Sequence, residues 1–167
     1  MSSSSEVREP TARAADTQWL SQPQQRAWRS FLGGSTVLMD LLDRDLRADH
    51  DLSMAEYEIL VRLSEAPNRQ LRMAELASMV SHSRSRITHT VARLERVGIV
   101  ERTSCVEDGR GVVARLTDEG FATLEAAAHT HVNGVRRYLV DKATPEEVAA
   151  IGNVFERLVT ELGGHRF

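Results

Sequence analysis

Along most of the chain, apolar positions recur at spacings of three and four, which marks helices with one buried stripe. Beginning at Pro23, the residues Trp28, Phe31, Leu32, Leu38, Met39, Leu42 and Leu46 line one face of a long helix that runs to about Asp49. Ser53-Met-Ala-Glu56 has the capping-box pattern, in which hydroxyl and carboxylate satisfy each other's backbone N–H groups, and it predicts a second helix over 54–65. Pro67-Asn68 breaks the chain, and the run MAELASMV predicts a short third helix over 73–80. A turn through Ser81-His82-Ser83 leads to the stretch SRSRITHTVARL, in which only Ile87, Val91 and Leu94 form an apolar stripe. Ser83 suits the N-cap of this fourth helix and Gly98 its end.

Beyond Gly98 the pattern changes. IVERTSCV and VVARL are β-rich runs separated by Glu107-Asp-Gly-Arg-Gly111, and Asp-Gly between two such runs predicts a hairpin. Thr117 caps a fifth helix over about 118–141. Thr144-Pro145-Glu146-Glu147 combines a capping box with proline at the first helical position and opens a sixth, which carries Val148, Ile151, Phe155, Leu158 and Leu162 at heptad-like spacing. The expected fold is therefore mainly α with a small β-hairpin wing: a winged helix-turn-helix bracketed by N- and C-terminal helices. The expected organisation is a disordered leader (1–21), an N-terminal dimerisation helix (22–50), a winged DNA-binding domain (51–117) and C-terminal dimerisation helices (118–167).

Charge sharpens this picture. The net charge is −3, yet residues 69–116 carry nine basic against five acidic side chains, while the flanking thirds are acidic. Positive charge concentrated on the winged segment of an acidic protein points to a polyanion-binding face. Twenty of the 21 basic residues are arginine, a bias read here as codon usage. No apolar run approaches the roughly 20 residues needed to span a bilayer, and the N-terminal residues have no apolar segment of a secretory signal. A single cysteine, Cys105, allows no intrachain disulfide and fits a cytoplasmic protein.

The fourth helix carries the chemistry. The major groove of B-DNA admits an α-helix, arginine presents a bidentate fork to guanine, and hydroxyls bond bases or phosphates. Arg84, Ser85, Arg86 and His89 are expected in the groove, with the capping Ser83 beside them. Thr88, Thr90 and Arg93 are expected on phosphates, which set register without reading sequence. Arg110 at the wing tip would enter the minor groove, where a narrow A·T-rich shape concentrates negative potential. The apolar stripes of the terminal helices imply a second copy. A two-fold dimer would set two reading helices about one helical turn apart on a pseudo-palindrome.

The order and spacing of Leu76-Ala77, Ser85-Arg-Ile-Thr88, Arg93-Leu94-Glu95, Gly98-Ile-Val100, Glu101-Arg102, Asp108-Gly-Arg110, Leu116-Thr117 and Gly120 resemble the MarR family of bacterial transcription regulators, from about residue 28 to the C-terminus. The chain departs from the family at Ser81-His82, where Gly and an apolar residue are usual, and at Arg72, where a Thr or Ser cap is usual. The resemblance implies a homodimeric regulator, most simply a repressor, that binds double-stranded DNA at an operator. It implies that Asp108 orients Arg110. It also implies release by a small, often aromatic or phenolic, ligand held between the dimerisation helices and the winged domain, where Trp28, Phe31, Met39 and Tyr57 are the candidate lining.

Two alternatives stand beside this reading. A metal- or redox-responsive regulator would use histidines or Cys105. However, His129 and His131 diverge by about 200° on a helix, and the peroxide-sensing branch of the family places its cysteine near the N-terminus. A winged-helix protein-interaction module would have little use for the arginines of the fourth helix and wing. No glycine-rich phosphate loop, HExxH, CxxC or nucleophile elbow is present, so neither an enzyme nor a cofactor is expected.

Overall fold

The computed structural model describes residues 17–80, 84–104 and 111–161. Ser83, Cys105, Asp108 and Arg110 lie outside the described residues, as do most of the leader and the side chain of Arg84. The elements are α1 (Gln22–His50), α2 (Met54–Glu65), β1 (Gln70–Arg72), α3 (Met73–Met79), α4 (Arg84–Arg96), β2 (Val100–Ser104), β3 (Val112–Leu116), α5 (Asp118–Tyr138) and α6 (Pro145–Glu161), with short 3-10 turns at Pro67–Arg69 and Val140–Lys142. The chain divides into two units, residues 1–36 and 37–167, and the boundary falls within α1.

In the first unit α1 opens on a capping arrangement at Ser21, whose N–H donates to Gln24 Oε1 at 2.8 Å. Nearly two helical turns in, the rings of Trp28 and Phe31 stack with centroids 5.6 Å apart. Both remain exposed.

In the second unit the core is the fully buried set Leu46, Leu52, Ile59, Leu60, Leu63, Leu76, Ile87, Val91, Leu94, Val100 and Leu116. α2 and α4 each bury an apolar face there, and α3 contributes Leu76. The three apolar residues of α4 are all at most 1% exposed. The capping box at α2 is present as the sequence predicts: Ser53 Oγ accepts from Glu56 N at 3.2 Å, and Glu56 Oε2 accepts from Ser53 N at 2.7 Å. α3 opens without a hydroxyl cap. Arg72 occupies the N-cap in an extended conformation, and its N–H donates to the Glu75 carboxylate at 3.1 Å.

The sheet has three antiparallel strands in the order β1-β3-β2, one more than the expected hairpin. β2 and β3 form the hairpin in the register Val100↔Leu116 to Ser104↔Val112. The unanticipated β1 pairs Leu71 with Ala114. It follows a turn in which Asn68 and Arg69 both adopt the left-handed conformation, with φ of 55°. The guanidinium of Arg69 lies 3.7 Å from the Phe121 ring centroid and 3.4 Å from the Asp118 carboxylate.

The helix expected over 118–141 is shorter: α5 ends at Tyr138, and the chain tightens into the 3-10 turn before α6. The last turns of α1 are tied to α5 by Tyr138 Oη, which donates to Asp45 at 2.8 Å, and by His50, whose Nε2 is 2.9 Å from Thr130 Oγ1. Gly134 allows this approach, since a Cβ there would lie 2.8 Å from Leu42 Cδ2.

Candidate nucleic-acid interface and adjoining cleft

α4 is built so that its buried stripe leaves a polar face outside. Ser85, Arg86, Thr88 and His89 are exposed and Thr90 is partly so, while Ile87, Val91 and Leu94 anchor the helix. Of the expected DNA-facing set, the described members therefore share one helix, and those nearest its N-terminus have the greatest access to solvent. The Thr90 hydroxyl donates to the Arg86 carbonyl at 2.9 Å, which occupies its proton within the helix.

The C-terminus of α4 sets the wing. Gly98 has φ of 78°, and Ile99 N donates to Leu94 O at 3.0 Å while Gly98 N donates to Glu95 O at 3.0 Å, the two bonds of a Schellman motif. The chain then enters β2 directly. Arg102 reaches back to Glu95, its Nε donating at 2.9 Å, and this guanidinium holds the Glu95 carboxyl below its ordinary range. Arg115 on β3 pairs with Glu101 on β2 at 2.6 Å and lowers its carboxyl in the same way. Two arginines of the basic segment are thus spent on holding hairpin and helix together.

Arg93, expected on a phosphate, is hydrogen-bonded within the protein. Its Nη1 donates to Glu56 Oε1 at 2.5 Å, and its Nη2 donates to both the carboxylate (2.8 Å) and the backbone carbonyl (3.0 Å) of Asp51. The sequence pattern marks Glu56 only as a cap. Nothing in a local pattern signals a pairing across 37 residues.

Beside α4 lies a cleft of about 880 Å³. Met39, Asp43 and Arg47 of α1, Met54, Glu56, Tyr57 and Val61 of α2, Arg86, His89 and Arg93 of α4, and His131 of α5 contribute to its walls. Met39 and Tyr57 are the two expected pocket residues that the structure brings to this cleft, whereas Trp28 and Phe31 belong to the first unit. His131, missed as a lining residue, faces Tyr57 with ring centroids 4.7 Å apart. Its buried Nδ1 has no hydrogen-bond partner among the described residues. Burial pushes the His131 pKa down and that of Tyr57 up, since each charged form is disfavoured there. His129 is exposed, so the two histidines diverge as their spacing predicts. Among the described residues no group of three or more His, Cys, Asp or Glu is arranged to hold a metal ion. None of their helices is long and apolar enough to cross a membrane.

A model of the MarR family matches residues 52–112, the span from the start of α2 into β3. The HTH-type transcriptional repressor YetL of Bacillus subtilis is 32% identical over 114 residues, which cover 66% of this chain and 68% of that protein. Among solved structures, the MarR family transcriptional regulator Sco3205 of Streptomyces coelicolor, in complex with DNA, is 42% identical with a TM-score of 0.81 over 86% of this chain and 94% of that one. AbsC, a MarR family transcriptional regulator of the same organism, is 36% identical with a TM-score of 0.80 over 87% and 98% of the two chains. With its winged sheet, its polar-faced α4 and these likenesses, the chain belongs to the MarR family of DNA-binding transcriptional regulators, which are not enzymes.

Proposed function

We propose that the protein acts in the cytoplasm as a homodimeric repressor that reads a pseudo-palindromic operator and is released by a small aromatic or phenolic ligand. The observation that carries the reading is the division of α4: its apolar stripe is buried to 1% or less, and the exposed face of its first turns is hydroxyl, imidazole and guanidinium. Arg84, Ser85, Arg86 and His89 enter the major groove. Ser83 stands beside them, Thr88 and Thr90 lie towards the phosphates, and Arg110, oriented by Asp108, enters the minor groove. The winged domain (51–117) reads, while residues 22–50 and 118–167 dimerise.

Exposed apolar side chains on α6 support the dimer. Ile151, Val154, Phe155 and Leu158 follow helical spacing and are each more than 40% exposed, a stripe that a second copy would cover. The cleft supports the ligand, because apolar walls from Met39, Met54, Tyr57 and Val61 surround a few polar groups and one wall is α4 itself. A ligand that binds better to a dimer with misplaced reading helices would shift the population away from the DNA-bound state.

Selection of bound duplexes from a random-sequence pool tests the reading. An enriched inverted repeat with half-sites about 10 base pairs apart, bound with a steep salt dependence, is the expected outcome. Binding without enrichment of any sequence would reject operator recognition. The winning duplex then serves as the probe for release by phenols.

A further inference from the structure

Arg93 lies two helical turns beyond Arg86 on the same face of α4, about 10 Å along its axis. A guanidinium at that place reads from sequence as one more phosphate contact. Its surroundings argue otherwise. Three of its hydrogen bonds are already made to the protein, two to carboxylates and one to the Asp51 carbonyl. Arg93, Glu56 and Asp51 together carry a formal charge of −1, which repels a phosphate.

The partners of Arg93 are themselves fixed. The Glu56 side chain is 4% exposed, and its second oxygen accepts from both the N–H and the hydroxyl of Ser53, each at 2.7 Å. Asp51 is held in the left-handed conformation, φ 54°, where α1 ends. On the α1 side, the Asp43 carboxylate accepts from Met54 N at 2.7 Å and from Arg47 at 2.6 Å, which fastens α2 to α1. The Arg93 guanidinium therefore joins α4 to a corner in which α1 and α2 are already locked together. A charge-assisted bond to a buried carboxylate defines position more sharply than the apolar stripe, along which a helix can slide or roll.

We propose that Arg93 is a positioning residue for DNA reading: the Arg93–Glu56–Asp51 clamp sets the roll and tilt of α4 so that Arg86 and His89 meet base edges, and Arg93 does not contact phosphate. The proposal rests on α4 being the reading helix.

The test uses the full chain and the selected operator duplex, titrated at several salt concentrations beside a scrambled duplex. Arg93→Gln and Glu56→Gln should each weaken operator binding about tenfold. The double variant should be no weaker than either single one, because both remove the same clamp. The slope of log affinity against log salt should stay at the parent value, as should binding to the scrambled duplex. Arg93→Lys, which keeps the charge but loses the fork, should recover only part of the affinity. Asp51→Asn, at a carboxylate that is 91% exposed, checks the same point where substitution of buried Glu56 prevents folding, and it should also weaken operator binding.

A phosphate contact predicts the opposite pattern. Arg93→Gln would then flatten the salt slope by about 0.9 and weaken both duplexes alike, while Asp51→Asn, by removing a repelling charge, would strengthen both. That outcome overturns the clamp. Arg86→Ala separates this from failure of the underlying reading. If it weakens operator binding while the clamp variants do not, the clamp alone is rejected; if it has no effect either, α4 is not the reading helix and both fall.

Discussion

The backbone of Gly120, in the first turn of α5, is pressed against the carbonyl oxygen of Ile99, and a Cβ at Gly120 would lie 2.0 Å from that oxygen. Around this contact Thr117 Oγ1 donates to Gly98 O at 2.8 Å and accepts from Gly120 N at 3.0 Å, while Thr117 N donates to Ile99 O at 3.1 Å. The end of the reading helix, the start of the wing and the cap of α5 are thus one junction. Gly120→Ala forces a backbone atom to move, because the nearest atom is the Ile99 carbonyl oxygen and not the end of a flexible side chain. It should destabilise the fold by about 1–3 kcal/mol, the usual range for overpacking a tight site. Urea unfolding of parent and variant checks this. An unchanged midpoint would show that the junction opens freely.

The exposed N-terminal face of α4 leads to a prediction about sequence preference. Arg84→Ala and Arg86→Ala should each cost about 1–3 kcal/mol on the operator and relax the preference at one base pair per half-site. Arg110→Ala should weaken binding with less change in preference, as expected of a residue that senses groove shape. Repeating the duplex selection with each variant distinguishes the two effects.

His131 predicts a pH dependence of stability. Burial against Tyr57 disfavours its imidazolium, so the folded protein keeps it neutral below its ordinary value of 6.5, whereas the unfolded chain takes up the proton there. Within that window the unfolded state binds more protons, and stability falls as the pH falls. His131→Phe keeps a ring beside Tyr57 and removes the titration. Thermal melts between about pH 7.5 and 5.5 should show the variant gaining on the parent as the pH drops. A difference that stays constant with pH would assign the change to packing alone.

The apolar stripe of α6 predicts a change in assembly. Phe155→Asp with Leu158→Asp places charge where two exposed apolar side chains stand about 40% open to solvent. Sedimentation should show a dimer for the parent and a monomer for the variant, with affinity for an inverted repeat falling towards that for a single half-site. A variant that still sediments as a dimer would place the interface elsewhere.

Much of the fold is legible in short segments because caps and turns are local chemistry. Ser53 and Glu56 mark the start of α2 at Met54, Thr117 marks α5 at Asp118, and Pro145 opens α6, all where their patterns predict. Gly98 ends α4 because a left-handed residue is needed there. β1 is not legible. Three residues carry no period, and Gln70, Leu71 and Arg72 become a strand only by pairing with Arg115, Ala114 and Val113 more than 40 positions away. The early end of α5 at Tyr138 leaves no mark either, since nothing in Leu139-Val140-Asp141 forbids a helix.

The site divides along the same line. The sequence by itself determines that α4 buries Ile87, Val91 and Leu94 and turns guanidinium, hydroxyl and imidazole groups outward, because a helical period assigns faces without reference to the rest of the chain. Which partners those outward groups meet is decided by tertiary structure. Arg86 and Arg93 are equivalent by period and residue type. Only the fold brings Glu56 and Asp51, from the corner of α1 and α2, to within hydrogen-bond reach of Arg93. The same holds for His131, which the sequence offers only as one of two diverging histidines and whose burial against Tyr57 comes from α5 packing beside α2. Local periodicity assigns each side chain a direction, but its partners come from segments tens of residues away, and only the packed chain brings them together.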